Sequence, residues 1–225
     1  MPPPSAARRS RLLDLYCCQG GAAMGYHRAG FEVVGVDLNP QPRYPFEFHQ
    51  ADALEYLAAH WREFDAVHAS PPCHDHSALA SVAGLDGTGH LLADTREALT
   101  TLPIPWVIEN VPGAAMRVDL RLCGGMFALR TYRHRWFEFS DPMFPPVLPH
   151  PKHRILTDAR KRRAGWDAGM HTSVTGDVTP EIASEALGID WMDTGGLPQA
   201  IPPAYTAVVG AHLLDQLGAH AQAAA

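Results

Sequence analysis

Short apolar runs alternate with stretches of helical length through the first half of the chain. Leu12-Leu13-Asp14-Leu15-Tyr16 predicts a buried strand, and Gly20-Gly21 after it opens a helix that reaches Arg28. Phe31-Glu32-Val33-Val34-Gly35-Val36-Asp37 predicts a second strand, Phe64-Asp65-Ala66-Val67-His68-Ala69 a third, and Trp106-Val107-Ile108-Glu109-Asn110-Val111 a fourth. Strands interleaved with helices build βαβ units, so the expected fold class is α/β, with a mostly parallel, doubly wound sheet. Ligands of such sheets bind beyond the carboxyl ends of the strands, near the point where strand order reverses. The polar residues of interest sit at those ends: Asp37, Asp52, Cys73, Glu109 and Asn110.

The periodicity lapses over 142–176, a stretch of Pro, His, Lys and Arg that marks an irregular insertion. It returns over 206–217, where Val208, Val209, Leu213, Leu214 and Leu217 share one helical face able to pack back on the sheet. The expected organisation is a disordered arm (1–10), a main catalytic domain (11–141), a small insertion (142–190), a segment returning to the main domain (191–217) and a frayed Ala-rich tail (218–225). With 225 residues and 46% apolar content the chain supports one core rather than two full-sized domains. No apolar run is long enough to span a bilayer, and the proline-rich start lacks the apolar stretch of an export leader. Four cysteines without regular spacing suit a reducing compartment, so a cytoplasmic protein is expected, with a monomer as its simplest state.

A net charge of −6 argues against a polyanionic partner until its distribution is examined. Residues 117–163 hold eleven of the 18 Lys/Arg and four of the 24 Asp/Glu, a local net of +7 against −13 for the rest. A polyanion feels the local field, screened beyond about 8–10 Å. Charge alone leaves a solvated basic loop equally open.

A strand, two glycines and a helix bring backbone close to a ligand at the helix N-terminus. Asp37, closing the second strand, can accept hydrogen bonds from both hydroxyls of a ribose, and Asp52-Ala53 can meet an adenine amino group. Neither the G-x-G-x-x-G of dinucleotide sites nor the G-x-x-x-x-G-K-[ST] of ATP sites is present. Ribose and adenine recognition without a phosphate loop suits S-adenosylmethionine.

Ser70-Pro71-Pro72-Cys73-His74 follows a strand directly, and the prolines stiffen the turn that presents the thiol. Glu109-Asn110-Val111 places a carboxyl at another strand end, and Arg133-His134-Arg135 sets two cations on one face of an expected strand. Taken singly, the cysteine reads equally as a small buried hydrophobe, Glu109 as a cap or ion-pair partner, and the arginines as an exposed strand face.

Taken together and in order, these residues resemble the DNA cytosine-5 methyltransferases, especially the compact phage and actinobacterial type. The likeness runs over 12–217. Tyr16-Cys17-Cys18-Gln19-Gly20-Gly21 is similar to the F-x-G-x-G-G cofactor loop, Pro72-Cys73 to the P-C-Q nucleophile motif with Ser77 as its closing serine, and Asp94-Thr95-Arg96 to D-S-R. Glu109-Asn110-Val111 matches E-N-V in full, Arg133-His134-Arg135 the end of Q-x-R-x-R, and Pro198-Gln199-Ala200-Ile201-Pro202-Pro203 occupies the place of G-N-S-V-P-P. Cys18 departs from the loop's third-position glycine, Thr131 from a glutamine, His74 from the glutamine after the nucleophile, and Gln199-Ala200 from Asn-Ser.

The resemblance implies a Rossmann-like S-adenosylmethionine-dependent methyltransferase fold, with S-adenosylhomocysteine as product. Tyr16, Cys17, Gly20 and Gly21 would meet the cofactor from the loop, and Asp37, Leu38, Asp52 and Ala53 from the next strand and helix. Pro72, Gln199 and Ala200 would complete the pocket. Cys73 would add to carbon 6 of a flipped-out cytosine, making carbon 5 nucleophilic. Glu109 with Asn110 would serve ring nitrogen 3, and Arg133 and Arg135 the carbonyl oxygen.

Double-stranded DNA is the implied partner, contacted by Ser77, Arg96, Lys152, Arg154 and the run Arg160-Lys161-Arg162-Arg163. The insertion is short for a sequence-reading element, so a short or relaxed recognition sequence is expected. His150 and His153 have the type and spacing of metal ligands, but no cysteine pair lies near them in sequence, so no metal is expected. The readings left open are cytosine methylation in RNA, a free-nucleotide substrate, a modified S-adenosylmethionine as donor, and an inactive nucleic-acid-binding relative.

Overall fold

Strand β1 (Arg11–Leu15) is apolar after Arg11 except at Asp14, and every residue after the first is buried, because the strand lies at the centre of a sheet covered on both faces. A computed structural model describes residues 8–72, 90–142, 149–153, 171–175 and 178–223, with side chains as far as residue 219. The chain passes from β1 through helix α1 (Gly21–Ala29) to β2 (Glu32–Asp37), then to the edge strand β3 (Glu47–Gln50). Helix α2 (Ala53–His60) leads to β4 (Ala66–Ala69), and α3 (Leu91–Thr100) precedes β5 (Trp106–Asn110). Strands β6 (Leu120–Leu122) and β7 (Arg135–Phe139), helix α4 (Pro180–Leu187) and helix α5 (Pro203–Ala223) follow.

The seven strands lie in the order β3-β2-β1-β4-β5-β7-β6. All neighbours are parallel as far as β5; β7 runs antiparallel between β5 and β6. The chain winds outward from β1 to β3 and then crosses to β4, so strand order reverses between β1 and β4. Alternate residues face opposite sides. Leu12, Val33, Ala66, Val107 and Phe137 pack under α1 and α5, whereas Leu13, Val34, Val67 and Ile108 pack under α2 and α3. Contact between α1 and α5 is close: a Cβ on Gly25 would collide with Thr206 Oγ1 and the Pro203 carbonyl. The Thr206 hydroxyl donates across this seam to the carbonyl of Ala22 at 2.8 Å.

The doubly wound, mostly parallel sheet expected from the apolar pattern is present. Several elements depart from expectation. Strand β7 begins at Arg135, so Arg133 precedes it, and the two arginines do not share a strand face. The last helix extends well past residue 217. Residues 8–10 are tied down: Arg8 pairs with Asp65 at 3.0 Å, and the Glu32 amide donates to the carbonyl of Ser10. Helix α4, capped by Thr179 with proline at its first turn, forms inside the stretch 142–190 assigned to the insertion, just beyond the residues where the periodicity lapses. It builds a third small core from Ala183, Ala186, Leu187, Met192, Leu197 and Ala200. Among the described residues no helix is long and apolar enough to cross a membrane.

Asp14 and His68 lie opposite one another in the β1–β4 register, both fully buried. The His68 Nδ1 stands 2.9 Å from the Tyr26 hydroxyl, and its Nε2 is 3.9 Å from Asp14. Burial pushes the imidazole down to about 3. Burial, and secondarily the charge of Asp37, hold the Asp14 carboxyl well above the usual carboxylate range. As pH falls below ~6.5 the unfolded chain protonates the histidine before the folded chain does, whereas the folded chain protonates the aspartate before the unfolded chain does, so the two contributions to the slope of stability oppose one another. Asp14→Asn leaves only the histidine, which binds fewer protons folded than unfolded. Relative to the parent, the variant is expected to lose stability more steeply on acidification below pH ~6, by at most about 1.4 kcal/mol per pH unit. Denaturant midpoints at pH 4, 5 and 6 check this, and parallel curves would remove the pair from the acid response.

Candidate active site

The carboxyl ends of β1, β2, β4 and β5 form one edge, and most of the expected site residues that can be described stand along it. The loop after β1 turns sharply, with Tyr16 at φ 60° and Cys18 at φ 44°. Positive φ is a glycine preference, so Cys18 holds a backbone conformation that glycine adopts more readily. The Tyr16 hydroxyl is 2.9 Å from Thr95 Oγ1 on α3. The Cys17 side chain packs into the core with Ala22 and Tyr44, so this residue can offer a ligand only its backbone. Gly20, at φ 81°, admits the chain to α1, which opens at Gly21.

Asp37 closes β2 and is 8% exposed. Its Oδ2 accepts from the Cys18 amide at 3.0 Å and its Oδ1 from the Asn39 amide at 2.9 Å. Each oxygen thus keeps lone-pair capacity for a further donor. Leu38 beside it is 64% exposed, a large apolar surface next to a polar anchor. Asp52 caps α2, its Oδ1 accepting from the amides of Leu54 and Glu55, and Ala53 is buried beneath it. Asp52 is therefore accounted for by the helix it starts, independently of any adenine.

Cys18 lies between the two halves of this edge. Burial first, then the charges of Asp37, Asp14 and Glu109, push its thiol up to about 12. The thiol donates to Gln199 Oε1 at 3.3 Å, and Gln199 Nε2 donates back to the Gly195 carbonyl. Cys18 and Gln199, two residues that differ from the motifs this sequence resembles, thus touch each other. Gln19 is clamped from the same side: its amide group donates to Asp193 Oδ1 at 2.8 Å and accepts from the Asp193 amide, while Trp191 Nε1 donates to its carbonyl. Ala200 is buried, and its amide bonds the Gly196 carbonyl.

At the end of β5, Glu109 is 5% exposed and pairs with Arg135 Nε at 2.7 Å. Burial raises its carboxyl above the ordinary range, opposed by the nearby Arg135 and Arg133 guanidinium groups. Asn110 Nδ2 donates to the carbonyl of Pro71 at 2.9 Å, and its Oδ1 accepts from the Val111 amide. Asn110 therefore fixes the approach of the Pro71-Pro72 turn and is a positioning residue. Cys73, His74 and Ser77 lie outside the described residues.

Two arginines have duties other than those expected. Arg133 is buried and donates to the carbonyls of Ala200 and Pro198, each at 2.6 Å, and its own carbonyl accepts from the Tyr205 hydroxyl. It fastens residues 198–200 to the entry of β7, leaving Arg135 as the cation at Glu109. Arg96, expected on the DNA surface, instead makes a bidentate pair with buried Glu138 and donates to the Ala115 carbonyl. In the basic segment, Arg117 is held by Asp119 and Arg130 by Glu185, so part of its charge is spent inside the protein. Lys152 is exposed, whereas Arg154 and the run Arg160, Lys161, Arg162 and Arg163 fall outside the described residues.

No protein-family model matches the chain, and no curated protein matches it in sequence. Solved structures do match its fold. An Entamoeba histolytica methyltransferase, EhMeth, aligns at a TM-score of 0.64 and 12% identity, over 93% of this chain and 99% of its own. A protein described as a DNA modification methyltransferase encoded within an E. coli prophage aligns at 0.62 and 14%, again over 93% and 99%. At such identities the likeness establishes the fold, the Rossmann-like architecture of S-adenosylmethionine-dependent methyltransferases.

Proposed function

We propose that the protein is a DNA cytosine-5 methyltransferase that uses S-adenosylmethionine and takes Cys73 as its nucleophile. The observation that carries this reading is the juxtaposition on one sheet edge of a buried Glu109–Arg135 pair, the Pro71-Pro72 turn held by Asn110, and the Asp37–Leu38 corner. The two solved structures share this fold, and one is described as a DNA modification enzyme.

The Asp37 corner fits the cofactor: carboxylate oxygens with capacity for ribose hydroxyls stand beside uncovered Leu38, a surface suited to a flat base. Bound there, the cofactor supplies an electrophilic methyl group. The chain's own residues supply the rest. The Cys73 thiolate adds to carbon 6 of an extruded cytosine, and the ring electrons move toward carbon 5 and nitrogen 3. Glu109, its carboxyl raised by burial, places a proton at nitrogen 3. Arg135 steadies the Glu109 carboxylate and faces the same space with a positive charge. After methyl transfer, loss of the carbon 5 proton to a base returns the electron pair and expels the thiolate.

The test is covalent trapping. A duplex carrying 5-fluorocytosine cannot lose fluorine as a cation, so protein and DNA are expected to remain joined in a denaturing gel when the cofactor is present. Cys73→Ser is expected to abolish the adduct. Absence of trapping by folded wild-type protein on both DNA and RNA overturns the covalent mechanism, and trapping on RNA alone overturns the DNA assignment.

A further inference from the structure

The first turn after β6 and the entry to β7 carry Cys123 and His134, which the fold brings against His150 and His153 from the segment 149–153. The four donor atoms all lie within 4.8 Å of one another. The three imidazole Nε2 atoms converge: His134 and His150 are 2.8 Å apart, His150 and His153 3.3 Å, and His134 and His153 3.4 Å. We propose that Cys123, His134, His150 and His153 bind one zinc ion.

Three ring nitrogens turned toward one point are poorly satisfied by one another, since each close pair can share at most one proton. A cation among them resolves the conflict. Tetrahedral zinc with Zn–N bonds of about 2.0–2.1 Å separates its nitrogen ligands by roughly 3.3–3.4 Å, close to two of the three spacings and moderately longer than the third. The fourth ligand comes with its own support. Cys123 is buried at the start of a short helical turn, with the backbone N–H groups of Gly125 and Met126 close to its sulfur. Donors of that kind hold a metal-bound thiolate in place.

One sulfur and three imidazoles select zinc over magnesium or calcium, which require oxygen ligands. Four protein ligands fill a tetrahedral shell and leave no place for a reacting water, so the ion is structural. Its location gives it a definite task. His134 sits between Arg133, which fastens residues 198–200, and Arg135, which pairs with Glu109. The ion ties that short stretch to β6 on one side and to the 149–153 segment on the other.

Full-length protein purified from zinc-supplemented culture is expected to carry about one zinc per chain by elemental analysis. After chelation, cobalt(II) is expected to give the intense visible bands of a tetrahedral site and a thiolate-to-cobalt charge-transfer band. Cys123→Ser should remove the charge-transfer band, whereas Cys73→Ser should leave it. The pair His150→Ala and His153→Ala should lower zinc content to below about a tenth of wild type. Folded wild-type protein that carries less than about a tenth of an equivalent of zinc and binds cobalt only with the weak spectrum of six-coordination would overturn the proposal, whatever the variants do. So would a charge-transfer band that survives Cys123→Ser.

Discussion

Glu109→Gln is expected to slow methyl transfer by about 10²–10⁴-fold, the contribution of a well-placed acid to proton transfer. Glutamine keeps the size and a carbonyl oxygen for Arg135 but cannot give up a proton. The native carboxyl is poised by opposing influences: burial favours the protonated form, and Arg135 with Arg133 favours the ion. That balance allows one group to hold a proton before attack and release it afterwards. The measurement is single-turnover transfer of labelled methyl groups to a cytosine-containing duplex, with melting temperature confirming that the variant is folded. Turnover within a few-fold of wild type would take Glu109 out of the chemistry and leave it as a partner for Arg135.

The second large effect concerns the strand that holds Arg135. Phe137 lies at the centre of β7, fully buried, opposite Glu109 on one side and Leu120 on the other. It belongs to the core beneath α1 and α5. Phe137→Ala is expected to cost about 3–5 kcal/mol, from lost apolar burial and from the cavity left in a close-packed layer. For a domain of this size that lowers the melting temperature by roughly 6–20 °C. A shift under 2 °C would show that the β5–β7 pairing does not depend on this side chain. Because Arg135 opens the same strand, the variant should also weaken trapping of the nucleobase above its own melting loss.

Sequence pattern makes some of this architecture plain and leaves some of it hidden. The central strands β1, β2, β4 and β5 are covered on both faces, so their apolar runs are nearly unbroken and legible. Strand β3 reads Glu47-Phe48-His49-Gln50 and lies at an edge, exposed or half-exposed throughout, which leaves no apolar run to see. Strand β6 has only three residues. Asp37, Glu109 and Asn110 are legible because a polar residue at the end of an apolar strand points to the ligand edge. Arg133 and Arg96 are not, because what holds each is far away in the chain: Arg133 meets Pro198 and Ala200, and Arg96 meets Glu138, 42 residues on. The histidine–cysteine cluster is legible only in part, as His150 and His153, because Cys123 and His134 come from elsewhere in the chain. Only His150 and His153 are neighbours in sequence, and a single cysteine from the end of another strand does not look like a metal motif.

The seam between α1 and α5 has a consequence in time. The Thr206 hydroxyl reaches an acceptor made 184 residues earlier. At usual rates of synthesis that interval is about ten to forty seconds. Until then the groove in front of Gly25 and Tyr26 faces water or a chaperone, and the β1–α1 half of the molecule waits for its last helix before it can set.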